Sequence, residues 1–252
     1  MIVIKLSGKA LSDEGALKEL FNAIYEQELK ALVVHGGGVE VDQILKALDF
    51  KSEKLDGIRV SPAEQMPYIT GVLAGQCNKQ LQGVALASGI NAFGMLCTDF
   101  GLCSLQPYPE HYGQVAHCSG NDTNVVTTLL EQGYTPVICS IGLDQSSGKM
   151  YNVNADEVAA ALAMSFKCPL VFFSDVKGVL DQNKEVIPEI DTHKCTTLIE
   201  QGVITEGMAV KIKKALEVAH NSGAPVFIAS IFDPIARSHL SQLRRIGTTV
   251  RA

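Results

Sequence analysis

The chain has no tryptophan and few other aromatics, with six Tyr and nine Phe in 252 residues. It has no basic surplus either: 21 Lys and Arg against 27 Asp and Glu give a formal net charge of −6. Scattered basic residues without interleaved aromatics exclude a nucleic-acid surface and an anionic-membrane surface. No apolar run approaches the roughly 18–20 residues of a spanning helix. Residue 1 leads straight into a strand pattern, without the basic region, apolar segment and cleavage site of a leader, so the chain reads as cytosolic. Closely spaced cysteine pairs are lacking as well. Cys77, Cys97, Cys103, Cys118, Cys139, Cys168 and Cys195 are odd in number, and none sits at metal-ligand spacing from another. That excludes a structural zinc site and leaves reduced thiols acting as small hydrophobes. His117 and Cys118 are adjacent, but no third partner is visible that would make a nucleophile of the cysteine.

What is present is an alternation of short apolar runs with helical periodicity. Hydrophobic residues make up 46% of the chain, enough for a sizeable core in one large domain or two lobes. Strands are predicted at Ile2–Leu6, Ala31–His35, Asn91–Leu96, Pro136–Ile141, Pro169–Ser174, Pro225–Ser230 and Thr248–Arg251. Helices are predicted at Glu14–Glu28, Val39–Leu48, Asp122–Gln132, Asn154–Phe166, Thr192–Gln201 and Glu206–Asn221. Pro62–Ser88 reads as a long helical stretch interrupted by Pro67 and by glycines, and Leu102–Ala116 as a hairpin or flap. Nearly continuous apolar strands separated by helices predict an α/β fold, with a mostly parallel central sheet between layers of helices.

Three adjacent glycines in VVHGGGVEVD, Val33–Asp42, follow a strand and open a helix. Bare backbone at a helix N-terminus can approach an anion closely. No lysine follows, so this is not a Walker A loop. The nearest imitation, Gly142–Met150, has five residues between its glycines and Met150 where a hydroxyl is required, and it reads as a surface turn. A dinucleotide fingerprint fails because Val41 stands where its third glycine belongs. Positive charge is available elsewhere. Lys5, in KLSG, lies at the carboxyl end of the first strand, where α/β sheets bind ligands. Lys211, Lys213 and Lys214 share a downstream helix whose apolar side is read as Met208, Val210, Ile212, Leu216 and Val218. Two ammoniums flanking a migrating phosphoryl group, with glycine amides beside it, would neutralise its dispersed charge.

The motifs IKLSG, VVHGGG, GIRVSP, MYNVNAD, SDVKGVLD and ITEGMAVKI together resemble the amino acid kinase family, and within it the short bacterial N-acetylglutamate kinases. The resemblance runs from Lys5 to Arg251, and GIRVSP and MYNVNAD are its specific parts. It implies ATP-dependent phosphorylation of the γ-carboxylate of N-acetyl-L-glutamate to an acyl phosphate, the second step of arginine biosynthesis. It makes Lys5 and Lys211 the transition-state stabilisers and Asp156 the carboxylate that orients them. Gly8, Gly37 and Gly38 would offer N–H groups to the phosphoryl group and substrate, and Arg59 and Asn152 would hold the substrate α-carboxylate. Ser174, Asp175, Val176, Lys177, Gly178, Val179 and Leu180, with Val203, Ile204 and Thr205, would line the nucleotide site. Residues 1–168 then form the acyl-substrate lobe and 169–252 the ATP lobe. Mg²⁺ is expected on the ATP phosphates rather than in a carboxylate cage. The attacking carboxylate is already ionised, so no nucleophilic side chain or general base is required.

Several residues stand on their own chemistry. A guanidinium such as Arg59 matches a carboxylate, and Gly57 before it suits a presenting turn. Asn154 is placed to cap the helix that follows, and Asp156 falls in its first turn. Two positions depart from the family pattern: Ser7 replaces a commoner glycine, as in uridylate kinases, and Ala116 replaces a flap glycine. The chain begins three residues before Ile4-Lys5, so the N-terminal helix of arginine-inhibited relatives is not expected, and a cytoplasmic, arginine-insensitive homodimer is. The alternatives are a uridylate, carbamate, glutamate or aminoadipate-derivative kinase, and a catalytically silent ligand sensor on the same fold.

Overall fold

The structure, a computed structural model, describes residues 1–204, 206–244 and 246–252, the side chains of residues 8, 9, 206 and 207 excepted. The first strand, β1 (Ile2–Leu6), sends Ile2, Ile4 and Leu6 into one core cluster and Val3 into another. This two-residue alternation is what a strand covered on both faces requires. After a short helix α1 (Gly8–Leu11), α2 (Glu14–Glu26) starts at Asp13, whose carboxylate accepts the Ala16 N–H at 2.8 Å. The spacing predicts an apolar stripe of Leu17, Leu20, Phe21, Ile24 and Tyr25; the first four are buried, whereas Tyr25 is exposed, one position round from Ile24. Then come β2 (Ala31–His35), α3 (Gly38–Ala47) and a small hairpin, β3 (Lys54–Leu55) and β4 (Ile58–Arg59).

The helical stretch around Pro67 is less interrupted than its sequence implies. Pro67 falls in the first turn of α4 (Met66–Thr70), where its missing N–H costs nothing. The chain then widens into a π-helical stretch, Gly71–Cys77, and continues as α5 (Asn78–Ala87). Next are β5 (Asn91–Leu96), the flap strands β6 (Cys103–Pro107) and β7 (Val115–Gly120), and α6 (Asn124–Glu131). They are followed by β8 (Tyr134–Cys139), β9 (Ile141–Leu143), β10 (Met150–Val153) and α7 (Ala155–Ser165). The last third contains β11 (Leu170–Ser174), β12 (Glu189–Ile190), α8 (Thr192–Glu200), α9 (Glu206–Ser222), β13 (Val226–Ser230), α10 (Pro234–Ser238) and β14 (Thr248–Val250). The two-residue strands, β9, β10, α1 and α10 were not anticipated, being too short to carry a period.

The main sheet has the order β12-β14-β13-β11-β1-β2-β8-β5 and is parallel except where β13 meets β14. Strands from the first part of the chain lie to one side of the β1–β11 junction and later ones to the other. The junction is thus a switch point, and its carboxyl edge opens a ligand crevice. Helices α6, α7, α8 and α9 contribute to the core on one face of the sheet, and α1, α2, α5 and α10 on the other. A second sheet, β6-β7-β10-β9, lies against α7. That helix is therefore covered all round, and Val158 to Ala163 are all buried. Its alanines suit this position, since small side chains allow sheet and helix to approach closely. One detail of α9 differs from its sequence reading: Val210 is 69% exposed, and the buried face is Ile212, Ala215, Val218 and Ala219.

Candidate active site

Two helix N-termini meet at the carboxyl edge of the central strands. The glycine turn leads from β2 into α3, with Gly37 at its N-cap. Asn154 caps α7, its side-chain oxygen accepting the Asp156 N–H at 2.9 Å. Gly36, Gly37 and Gly38 line one cavity of about 210 Å³ together with Arg59, Asn152, Asn154 and Ala155. Both termini bring the positive end of a helix dipole to it, which favours an anion.

Lys5 comes from β1 on the face that packs against α7. Its ammonium lies 2.7 Å from Asp156 Oδ1, and its side chain is only 12% exposed. Oδ1 is buried and receives no aligned hydrogen bond among the described residues, so the contact is an ion pair rather than a capped carboxylate. Asp156 thereby holds the lysine head at the N-terminus of α7. Gly8 opens α1 just beyond the end of β1, and the Ser7 N–H donates to the Phe173 carbonyl across the β1–β11 junction. Lys211 lies half-buried on α9, which packs against α7, and has no ion pair among the described residues. Lys213 is exposed, and Lys214 is held by Glu217 at 3.1 Å. Of the three lysines on α9, Lys211 is thus the half-buried one without an ion pair among the described residues.

The glycine turn is braced from behind. His35 is fully buried, and burial lowers its pKa to about 4, so it is neutral at pH 7. Its Nδ1–H donates to the Gly36 carbonyl at 2.7 Å, and its Nε2 accepts from Asn78 Nδ2 at 3.0 Å. Asn78 also donates to the Val137 carbonyl at 2.8 Å. On the other side the π-helical stretch presses on Gly37. A Cβ there would lie 2.7 Å from Leu73 Cδ2 and 2.9 Å from Cys77 Sγ, so this position has no room for a side chain. π-Helical widenings recur at functional sites.

Arg59 is 8% exposed, at the end of the β3–β4 hairpin that turns at Gly57. Its Nη1 donates to Asp42 and Ser52, each at 2.5 Å, and its Nη2 to the Gly38 carbonyl at 3.0 Å. The guanidinium holds Asp42 below the usual carboxylate range, with Ser52 and Lys54 adding to the effect and partial burial opposing it. Among the described contacts, Nε–H and one Nη2–H stay free. A guanidinium with N–H groups to spare can still grip a carboxylate. Asn152 donates from Nδ2 to Ser61 Oγ at 3.1 Å. Asp42, Ser52, Ser61, His35 and Asn78 carry no role in the sequence reading, although His35, Asp42 and Ser61 lie inside the stretches it quotes. Their function is to hold other residues, and no spacing rule reports that.

On the far side of the junction, Ser174 ends β11, followed by exposed Asp175, half-buried Val176 and exposed Lys177. Ser174 Oγ accepts the Val176 N–H at 3.4 Å. Gly178 and Val179 are buried, the Val179 N–H donating to Thr248 Oγ1 at 2.8 Å, and Leu180 is exposed. Val203 is half-buried and Ile204 buried, while Thr205 lies outside the described residues. Val179 and Ile204 pack into the core, so they can meet a nucleotide only through their backbone. All seven cysteines are buried and unpaired. Burial pushes Cys77 up to about 11, with the Glu40 carboxylate adding to it, Cys168 up to about 11 and Cys139 up to about 12. These three stay as unreactive thiols. His117 has a partner that the sequence did not reveal, Glu157, at 3.0 Å.

A glycine turn at a helix N-terminus and a lysine–aspartate pair on an αβα sheet are parts that a phosphotransfer enzyme can use. Residues 1–230 match the amino acid kinase family, and the chain belongs to it. It is 42% identical to the acetylglutamate kinase of Aeromonas salmonicida over 99% of this chain and 97% of that one. It is also 42% identical to the acetylglutamate kinase of Vibrio cholerae, over 98% of this chain and 95% of that one. A solved structure, smu.665 of Streptococcus mutans, superposes with a TM-score of 0.82 at 26% identity, covering 100% of this chain and 98% of its own.

Proposed function

We infer that this chain transfers the γ-phosphoryl group of ATP to the γ-carboxylate of N-acetyl-L-glutamate, forming N-acetyl-L-glutamyl 5-phosphate for arginine biosynthesis. The observation that carries the reading is the shared cavity. The glycine turn, Arg59 and Asn152 line one space, and Lys5, held by Asp156, stands at the helix terminus that also opens there. End-to-end relatives at 42% identity bearing the acetylglutamate kinase name support the same choice of substrate.

The free N–H groups of Arg59 take the α-carboxylate, with Asn152 beside it. Gly8, Gly37 and Gly38 offer N–H groups to the phosphoryl group in flight. Lys5 neutralises charge from the β1 side and Lys211 from α9, with Asp156 setting the lysine positions. The nucleotide lies across Ser174–Leu180 and Val203–Thr205, in the half formed by residues 169–252. The half formed by residues 1–168 holds the acyl substrate. The Lys5–Asp156 pair suits Mg²⁺ that arrives on the ATP phosphates, because this carboxylate is already committed to an ammonium. No proton needs to move, so catalysis consists of positioning and charge neutralisation. On the same reading the enzyme is a cytoplasmic homodimer, and light scattering should return twice the mass of one chain.

ADP release, measured over a panel of N-acetyl-L-glutamate, uridylate, carbamate and glutamate, tests the reading. Turnover is expected with N-acetyl-L-glutamate. Turnover on uridylate alone would replace it with the uridylate kinase reading, and calorimetric binding of N-acetyl-L-glutamate without turnover would replace it with a sensor.

A further inference from the structure

Resting on that functional reading, we propose that Ser61 is a positioning residue that sets Arg59 and Asn152 in register through a closed ring of hydrogen bonds passing through the flap. Ser61 is completely buried and lies two residues after Arg59. The Gln114 N–H donates to the Ser61 carbonyl at 2.7 Å, and the Asn152 N–H to the Gln114 carbonyl at 2.9 Å. Asn152 Nδ2 closes the ring on Ser61 Oγ at 3.1 Å. The same hydroxyl donates to the Arg59 carbonyl at 3.1 Å.

A hydroxyl has one proton to give. With that proton on the Arg59 carbonyl, Ser61 Oγ can only accept from Asn152. The Asn152 amide must therefore turn its NH₂ toward Ser61, which leaves Oδ1 and one N–H for the cavity that Asn152 lines. One acceptor beside one donor matches an amide N–H next to a carboxylate, the arrangement at the α-carbon of an N-acyl amino acid. The flap is anchored at the same residue. The Ser61 N–H donates to the Tyr112 carbonyl at 2.9 Å, so Ser61 holds the residues on both sides of Gly113. Gly113 has φ +72°, and a Cβ there would lie 2.7 Å from the Ser61 carbonyl carbon. One buried residue thus joins three elements: its hydroxyl ties the hairpin that presents Arg59 to the strand that presents Asn152, and its backbone holds the flap.

Ser61→Thr and Ser61→Val have nearly the same shape, and only Thr keeps the hydroxyl. Steady-state kinetics of the full chain with ATP and N-acetyl-L-glutamate should give Val a KM for the acyl substrate about tenfold or more above that of Thr. KM for ATP should stay within about twofold in both. Equal acyl-substrate KM values for Thr and Val would overturn the proposal, as would a parallel rise in both KM values for Val, which marks general damage. If the added methyl unfolds either variant, Ser61→Ala against the wild type makes the same comparison with the same outcomes. A wild type that does not turn over N-acetyl-L-glutamate defeats the functional reading instead. The ring is then judged by amide hydrogen exchange at Gln114 and Asn152, expected to be faster in Val than in Thr, with equal rates counting against it.

Discussion

Single side chains in this protein act mainly by where they hold charge. Lys211 carries the half-buried ammonium of α9 that no described residue pairs. Lys211→Met should lower kcat by about 10²–10³-fold with little change in either KM, because its charge counts most in the transition state. Near-normal turnover would remove Lys211 from the chemistry. Arg59→Ala should act differently, raising KM for the acidic substrate by roughly 10–100-fold through loss of a charge-assisted grip. An unchanged KM would mean that the guanidinium serves only Asp42, Ser52 and the Gly38 carbonyl. His35 makes stability depend on pH. Unfolded it takes a proton near pH 6.5, but folded only near pH 4, because burial resists the charge. Between those values the unfolded chain binds more protons. Stability should fall as pH drops through that window, by about 3 kcal/mol in full, and level off below it. Urea unfolding from pH 7.5 to 4.5 checks this, and an unchanged slope in His35→Asn would assign the effect to other groups.

At the scale of elements, the glycine turn is tight on one side and open on the other. A Cβ at Gly37 would press into Leu73 and Cys77 of the π-helical stretch, whereas one at Gly38 meets only Arg59 Nη2, at 3.9 Å. Gly37→Ala should cost about 1–3 kcal/mol and lower kcat, while Gly38→Ala should melt close to the wild type. Equal melting temperatures for the two variants would show that the π-helical stretch yields freely. Most elements were readable because each carries a period. The stripe of α2 and the apolar runs of β1, β2, β11 and β13 appear in the sequence nearly to the residue. The hairpin presenting Arg59 and the strand presenting Asn152 were not readable as elements. They are two and four residues long, and their strand pairing is with segments elsewhere in the fold or across a tight turn. Val210 was misread for a related reason: it is apolar, but it points away from the face α9 shares with α7.

For the whole molecule, the β1–β11 junction divides the sheet into halves of different chain origin. If residues 1–168 hold the acyl substrate and 169–252 the nucleotide, ligands should protect different halves. Amide hydrogen exchange should slow around residues 36–38, 59–61 and 152 with N-acetyl-L-glutamate, and around residues 174–180 with a non-hydrolysable ATP analogue. Protection by the analogue confined to the first half would refute the division.

The sequence by itself determined the αβα architecture, the amino acid kinase membership and the identity of the charged groups. Periodicity and glycine–lysine motifs are local properties, and local properties survive in a linear string. The family resemblance implied that Asp156 orients Lys5 and Lys211; only the tertiary structure decided that its ion pair is with Lys5, 151 positions away, and that Asn152 reaches Ser61, 91 positions away. Such partners are chosen by how strands order in a sheet and by which buried donors must find acceptors, and no local pattern records either.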